Sequence, residues 1–360
     1  MATYIGEKLR KLREEKDMSL GQLGDNSGVS RQSIHRYEQN IKSPSSSTVL
    51  QISKALNVHP SYFFSSANDN VQITNIKFRK EGMLTHLRSE LLEIESICKS
   101  YINNLIELQS LLDDNIKFEN PLKGLKITNA KDVEKAAKKL RSKWNLGNAP
   151  IYNTTEMIED NGIVVIEVTT ADRFTGFTGT ANEEIPFIVI NSNCNEATRK
   201  RFTLLHELGH VVLEFTEQLK EEVIEKLCNH FAGAILLVDD TLQLELGKNR
   251  TTISLKELRE IKEKYGVSIQ AIIIRAKATG YISEKTSSSW WDSYQEWYQE
   301  SADSSRFGQY QCDERAKRFD TLILRGLNEK RITWGKAARL KNTKVDVLKS
   351  KLNELEFAVA

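Results

Sequence analysis

Residues 206–210 read HELGH, and this stretch restricts the architecture of the chain more than any other. On a helix of 3.6 residues per turn, His206 and His210 stand one above the other on the same face. Two imidazoles so placed can bind one Zn²⁺, and Glu207 beside them can take a proton from the attacking water. The pattern has this meaning only on a helix, and the neighbours supply one. Leu204, Leu205, Leu208, Val211, Val212 and Phe215 recur at helical spacing and cluster on one side, with both histidines on the far side. The chain has only 6 His, so composition does not produce the pair. Gly209 carries no side chain and suits the close approach of another backbone.

A zinc ion needs a third protein ligand. The next helical segment runs over about 220–237, with an apolar stripe of Val223, Ile224, Leu227, Phe231, Ala234, Ile235 and Val238. Glu225 points away from that stripe and is the preferred ligand; Glu221 and Glu222 are its rivals. Asn229 lies one turn further on the same face, where it can orient His206 or His210. His230 borders the apolar stripe and fits less well. Two His, one carboxylate and water make a hydrolytic site, for which a peptide bond is the natural substrate. The group that would stabilise the oxyanion is left open among Tyr152, Tyr281 and His230.

The chain has 360 residues, enough for two or three domains. Its 51 basic and 49 acidic side chains leave a net charge of +2, so any nucleic-acid surface must be local. Cysteines at 98, 194, 228 and 312 are too scattered for a disulfide framework or a zinc ribbon and fit a reducing compartment. No 18-residue apolar run and no N-terminal apolar segment occur, so a cytoplasmic protein without a membrane span is expected.

Residues 1–66 form a separate helical head. Ile5, Leu9 and Leu12 space a first helix, and Ser19 caps a second that begins at Leu20. Gly28-Val29-Ser30 makes a turn, and Ser30 caps a third helix carrying Arg31, Gln32, Ser33 and Arg36. A fourth helix follows Pro44, and a fifth short one completes the set. A polar third helix after a glycine turn describes a helix-turn-helix. Over residues 1–64 there are nine Lys/Arg against six Asp/Glu, a local excess of positive charge. The run "LREEKDMSLGQLGDNSGVSRQSIHRYEQNIKSPSSSTVLQISKALNVHPSYFF" resembles the phage-repressor and Cro-like (XRE) family. That resemblance implies that Gln22 touches a phosphate and that Arg31, Gln32 and Ser33 reach base edges of double-stranded DNA. Arg36 joins them as a candidate contact. Operators of such heads are usually palindromic and read by dimers.

Residues 67–128 read as a helical linker. Leu84, Leu87, Leu91, Ile94, Cys98, Tyr101, Leu105, Leu108 and Leu112 alternate steps of three and four, the spacing of a coiled coil. No Pro or Gly interrupts 83–120, and Pro121 is expected to end the helix. Leu92, Ile97, Ile102 and Ile106 widen the stripe beyond a strict two-position seam, a face that suits packing on a domain as well as a two-stranded coil; homodimerisation through this segment is expected, with intramolecular packing as the alternative.

Residues 129–285 are expected to be α+β. A helix over 129–150 precedes short β-branched strands at 163–168, 176–180 and 187–191, and their sheet lies beside the HELGH helix. An edge strand of that sheet could hold an extended peptide by strand addition. The stretches "VEKAAKKLRSKWNLGNAPI", "GFTGTANEEIPFIVINSN", "RKRFTLLHELGHVVL" and "EKLCNHFAGAILL" resemble the ImmA/IrrE family of zinc metallopeptidases. The resemblance implies a zincin-like fold, His206, His210 and Glu225 as zinc ligands, and Glu207 as the catalytic residue. It departs at Cys228, where the family usually has Ala, and at Leu237-Val238, where it usually has Met-Pro. Residues 286–360 hold Trp290, Trp291 and Trp297, read mainly as core, and then return to helices.

The expected protein is a DNA-binding transcriptional regulator with a zinc-dependent endopeptidase domain. It would cut itself in the 65–128 connection, or a partner regulator, in response to a stress or mobile-element signal. The alternative keeps the fold and makes the C-terminal domain a non-proteolytic sensor of a ligand or peptide.

Overall fold

A computed structural model of the chain describes residues 5–16, 18–56, 58, 60, 63, 71–77, 88–114, 116–170, 175–193, 196–300 and 304–356. It opens with helices α1 (Ile5–Glu15), α2 (Leu20–Ser27), α3 (Arg31–Glu38) and α4 (Ser46–Ala55), then strand β1 (Ile73–Lys77) and the long helix α5 (Arg88–Leu112). There follow β2 (Lys126–Ile127), α6 (Ala130–Lys143), α7 (Thr154–Asp160), β3 (Val164–Val168), β4 (Gly176–Ala181), β5 (Ile185–Asn191), α8 (Ala197–Val212), β6 (Glu214–Phe215) and α9 (Glu221–Leu236). Helices α10 (Asp239–Leu246), α11 (Leu255–Tyr265), α12 (Ile269–Ala278), α13 (Glu284–Glu300), α14 (Arg318–Asn328), α15 (Trp334–Leu340) and α16 (Val345–Glu356) complete the chain. The protein is multidomain and mostly helical, with one α+β region. One compact unit gathers α1–α4, α5, α15 and α16, and a second gathers β1–β6 and α6–α13. No described helix is long and apolar enough to cross a membrane.

In the head, Ser19 and Gln22 form a capping box at the start of α2, which ends at Gly28 in the left-handed region. Ser30 then caps α3 by accepting the Ser33 N–H at 3.2 Å. The turn is tight because Gly24 has no Cβ: one there would lie 2.7 Å from the Val29 carbonyl oxygen. Leu9, Leu12, Leu23, Ile34 and Leu56 are fully buried together. A bidentate Arg13–Glu38 pair, at 2.6 and 2.9 Å, ties α1 to the end of α3. The expected fifth helix falls largely outside the described residues.

Helix α5 carries the predicted apolar run, but its buried line is Ile94, Cys98, Ile102, Leu105, Leu108 and Leu112. Ile102, not Tyr101, is buried at that turn, so the stripe follows an ordinary helix face. Leu84 and Leu87, the start of the predicted run, lie outside the described residues. The helix ends at Leu112 rather than near Pro121. Asp113 adopts a positive φ, and Arg331 donates to the Leu111 carbonyl at 3.0 Å and to Asp113 at 2.7 Å. Helix α15 packs on α5 within the same chain; Asn104 donates to the Leu340 carbonyl at 3.0 Å, and Glu107 pairs with Lys336 and Arg339.

In the second unit the described strands form a four-stranded sheet in the order β1-β4-β5-β3 and a two-stranded parallel β2-β6 pair. Strand β3 runs parallel to β5, while β4 runs antiparallel to it. Helix α6 stops at Lys143 instead of reaching 150, because Asn145 and Gly147 take positive φ and turn the chain. Helices α8 and α9 pack on each other, α8 also lies against β4 and β5, and α6 backs α9. Leu204, Leu205, Leu208, Phe231, Ala234 and Ile235 are fully buried in one core with Ile188 and Val165. That core also receives Trp290, with Trp291, Tyr294 and Trp297 packed against it.

Candidate metal centre

The HELGH residues occupy the last part of α8, whose C-terminal end is held between α9 and the sheet. His206 is 2% exposed and Glu207 3%. The face opposite the leucines is therefore not free surface; α9 covers it. Close packing depends on Gly209, where a Cβ would sit 3.2 Å from Cys228 Sγ and 3.4 Å from Cys228 Cα on α9. A glycine at the crossing brings the two helices near enough for side chains on both to meet.

They meet at Glu225. His206 Nε2 lies 3.3 Å from one Glu225 oxygen, His210 Nε2 lies 3.0 Å from the other, and the two Nε2 atoms are 3.2 Å apart. Ligand atoms on a tetrahedral zinc with bonds of about 2.0–2.1 Å stand roughly 3.3 Å from one another, and the two Nε2 atoms, and each of them with its nearer Glu225 oxygen, lie close to that spacing. His206, His210 and Glu225 form a group able to hold a metal ion. The other nitrogen of each ring is engaged. Asn229 Oδ1 lies 2.8 Å from His206 Nδ1, and an amide oxygen can only accept, so Nδ1 donates and Nε2 keeps its lone pair. Cys228 Sγ lies 3.6 Å from His210 Nδ1.

Glu207 faces the sheet. A Cβ at Gly176 of β4 would lie 3.3 Å from Glu207 Cγ and 3.0 Å from the Val189 carbonyl oxygen, so a glycine lets the strand run over the carboxylate's stem. The rivals of Glu225 stand elsewhere. Glu221 and Glu222 are exposed in the first turn of α9. His230 is bound to Glu134 at 2.6 Å, and Glu134 in turn takes a bidentate pair from Arg275. Tyr281 donates to Asp239 at 2.8 Å, and burial followed by that hydrogen bond pushes its hydroxyl up to about 12. Tyr152 is 83% exposed. None of the three oxyanion candidates has a described hydrogen bond to the His-His-Glu triangle.

Sequence reasoning missed the residues that fix α8. Arg201, fully buried, pairs with the buried Glu314 and donates to the Ile151 carbonyl at 2.7 Å. Glu314 also accepts from the Thr154 N–H and hydroxyl at 2.8 and 2.6 Å and from the Thr155 N–H at 3.1 Å, capping α7. An arginine among basic neighbours in "TRKRF" gives no sign of being internal.

In the head, Arg31, Gln32 and Arg36 of α3 are exposed, and Ser33 is half-buried with its hydroxyl bonded to Ser30 at 2.9 Å. Gln22 is exposed; its carbonyl accepts the Ser19 N–H at 2.8 Å, so its NH₂ is the group aimed outward for donation.

The family description IrrE N-terminal-like domain matches residues 158–277, and helix-turn-helix matches residues 9–63. The chain fuses a helix-turn-helix head to an IrrE-like domain. The IrrE-like match contains the whole His206-His210-Glu225 triangle. Two uncharacterized HTH-type transcriptional regulators of Sinorhizobium fredii (strain NBRC 101917 / NGR234), y4aM and y4wC, are 39% and 36% identical to this chain over 69 residues. The aligned part is 19% of this chain and 48% of each relative, so the chain spans about half the length of the curated relatives it matches. The apo form of ComR from S. thermophilus aligns over 95% of this chain and 98% of its own at 12% identity, with a TM-score of 0.18, too loose a superposition to bear on the fold.

Proposed function

We propose that the protein is a DNA-binding transcriptional regulator whose IrrE-like domain is a zinc-dependent, zincin-like endopeptidase. The observation that carries this reading is the cluster of His206, His210 and Glu225, with one Glu225 oxygen 3.3 Å from His206 Nε2, the other 3.0 Å from His210 Nε2, and a buried glutamate next to His206 in sequence. Zinc held by His206, His210 and Glu225 would supply a Lewis acid for a scissile carbonyl and for water. Glu207 takes a proton from water as the water oxygen bonds to the scissile carbonyl carbon, and the same carboxyl passes that proton to the amine as the C–N bond breaks. Asn229 positions His206 by holding its Nδ1–H. Asn229→Ala is expected to lower zinc affinity by about 10–100-fold, measured by competition with a fluorescent zinc chelator; unchanged affinity removes Asn229 from this role.

In the head, α3 presents Arg31, Gln32 and Arg36 to the major groove of double-stranded DNA, with Ser33 beside them and Gln22 at a phosphate. A homodimer reading a palindromic operator suits such a head. The substrate is this chain, within the 65–128 connection, or a partner regulator, and the trigger is a stress or mobile-element signal. Cleavage in the connection would separate the head from α5 and release the operator.

A second reading is favoured by one observation. A cavity of about 1180 Å³ in the IrrE-like unit is lined by Tyr152, Lys262, Gln270, Tyr294, Phe307 and Tyr310. Its aromatic rings are outnumbered by polar and charged groups, Glu196, Gln311 and Asp313 among them; a cavity so lined suits a polar ligand, and the domain would then be a non-proteolytic sensor. The deciding experiment follows the purified full chain over time on a gel, with zinc, with a chelator, and with zinc restored. Fragments of the chain or of an added helix-turn-helix regulator that vanish with the chelator and return with zinc establish the peptidase. A chain that stays intact throughout, with operator affinity altered by a small ligand, establishes the sensor.

A further inference from the structure

The sheet places an unexpected strand at the position a substrate would need. Strand β4 passes over Glu207, and β5 takes one of its edges. The other edge is filled by β1, residues 73–77, from the connection that follows the head. Thr74 Oγ1 donates to the Thr180 carbonyl at 3.4 Å. In β1, Ile73 and Thr74 are half-buried and lie outside the apolar core of this unit. Its attachment is that of an added strand: backbone pairing along an edge.

An extended peptide held for hydrolysis beside Glu207 needs backbone partners, and the edge of a sheet provides them. The outer edge of β3 is separated from β4 by β5, about 9–10 Å at the usual strand spacing. The outer edge of β4 is the closer choice, and the chain's own segment already lies there. We propose that this edge of β4 is the peptide-binding site and that β1 is its resident occupant, which an incoming extended peptide displaces by strand exchange. The proposal rests on the peptidase reading for the role of Glu207. It adds that the site is closed by the segment leading from the DNA-binding head, so substrate binding and release of that segment are one event. Tethering holds β1 at an effective concentration on the order of millimolar, which a free peptide must overcome.

The test uses the full zinc-loaded chain carrying Glu207→Gln, so that a probe is bound without being cut. The probe is a fluorescein-labelled synthetic peptide of residues 71–79, VQITNIKFR. In an edge strand alternate residues direct their backbone groups at the neighbour, so Thr74→Pro with Asn75→Pro removes a pairing N–H whichever residue supplies it. Fluorescence anisotropy should show the probe binding the double-proline chain at least about tenfold more tightly than the chain with native β1. Equal affinities overturn the proposal. Hydrogen exchange on the chain with native β1 gives a reading that does not depend on the prolines folding well. Saturating probe should speed exchange at 73–77 while 176–181 stay protected, and unchanged exchange at 73–77 with probe bound also overturns it. Both readings are taken with catalysis off. An inactive enzyme therefore leaves this result standing, and a failed exchange leaves the peptidase reading standing.

Discussion

Glu207→Gln is expected to bind zinc as the native chain does and to lose about 10²–10⁴-fold in the rate of peptide hydrolysis. The amide fills the same volume over β4, so the close contact at Gly176 survives. It is not one of the three donors of the triangle, so metal stoichiometry should stay at that of the native chain. What disappears is the HELGH side chain outside the metal-holding group that can accept a proton from water and return it to an amine. Inductively coupled plasma analysis for zinc and a quantified gel time course measure both parts together. A variant that holds zinc and cuts at the native rate would remove Glu207 from the chemistry. One that fails to hold zinc would place it in the metal site instead.

Glu314→Gln is expected to destabilise the IrrE-like unit by about 3–5 kcal/mol. The substitution leaves Arg201 fully buried with no counter-charge, and an unpaired buried cation costs far more than a lost surface pair. It also weakens the cap on α7, because Thr154 and Thr155 then face a neutral amide. Asp313→Asn, next door, breaks an exposed pair with Arg315 and should cost under about 1 kcal/mol. Urea unfolding of both variants, followed by tryptophan fluorescence from the 290–297 cluster, gives the comparison. A loss for Glu314→Gln no larger than that for Asp313→Asn would show that the buried pair contributes little. Because Arg201 lies on the same helix as His206, the variant's zinc affinity should fall along with its stability.

What could be read in advance had a local physical cause. One helical turn separates His206 from His210, and Glu225 points away from an apolar stripe that the residues around it define. Those relations follow from helix geometry alone, and the structure brings all three side chains to one point. Gly28 and the serines at 19 and 30 mark helix ends by the same short-range chemistry: α2 begins and ends, and α3 begins, where those residues place them. Relations set by distant chain segments could not be read. Arg201 finds Glu314 across more than a hundred residues. Helix α5 stops before its sequence demands it, because Arg331 takes the Leu111 carbonyl. The pattern of steps from Leu91 to Leu112 looks the same whether the face meets a second copy or α15, and only the fold shows that α15 packs on this helix. Strand β1 is five residues with no partner nearby in sequence, so nothing in its own composition announces that it joins β4.

Gly209 touches no donor atom through a side chain, yet it governs the gauge of the whole centre. The gap between the two helices is set by the missing methyl at that crossing, with Cys228 filling what remains. An alanine there would wedge the helices apart by some tenths of an ångström, and the Glu225 oxygens would retreat from both imidazoles by a similar amount. An ion of zinc's size tolerates little slack in its bonds. The calibre of the berth is thus written into backbone packing, one layer behind the groups that would grip the ion.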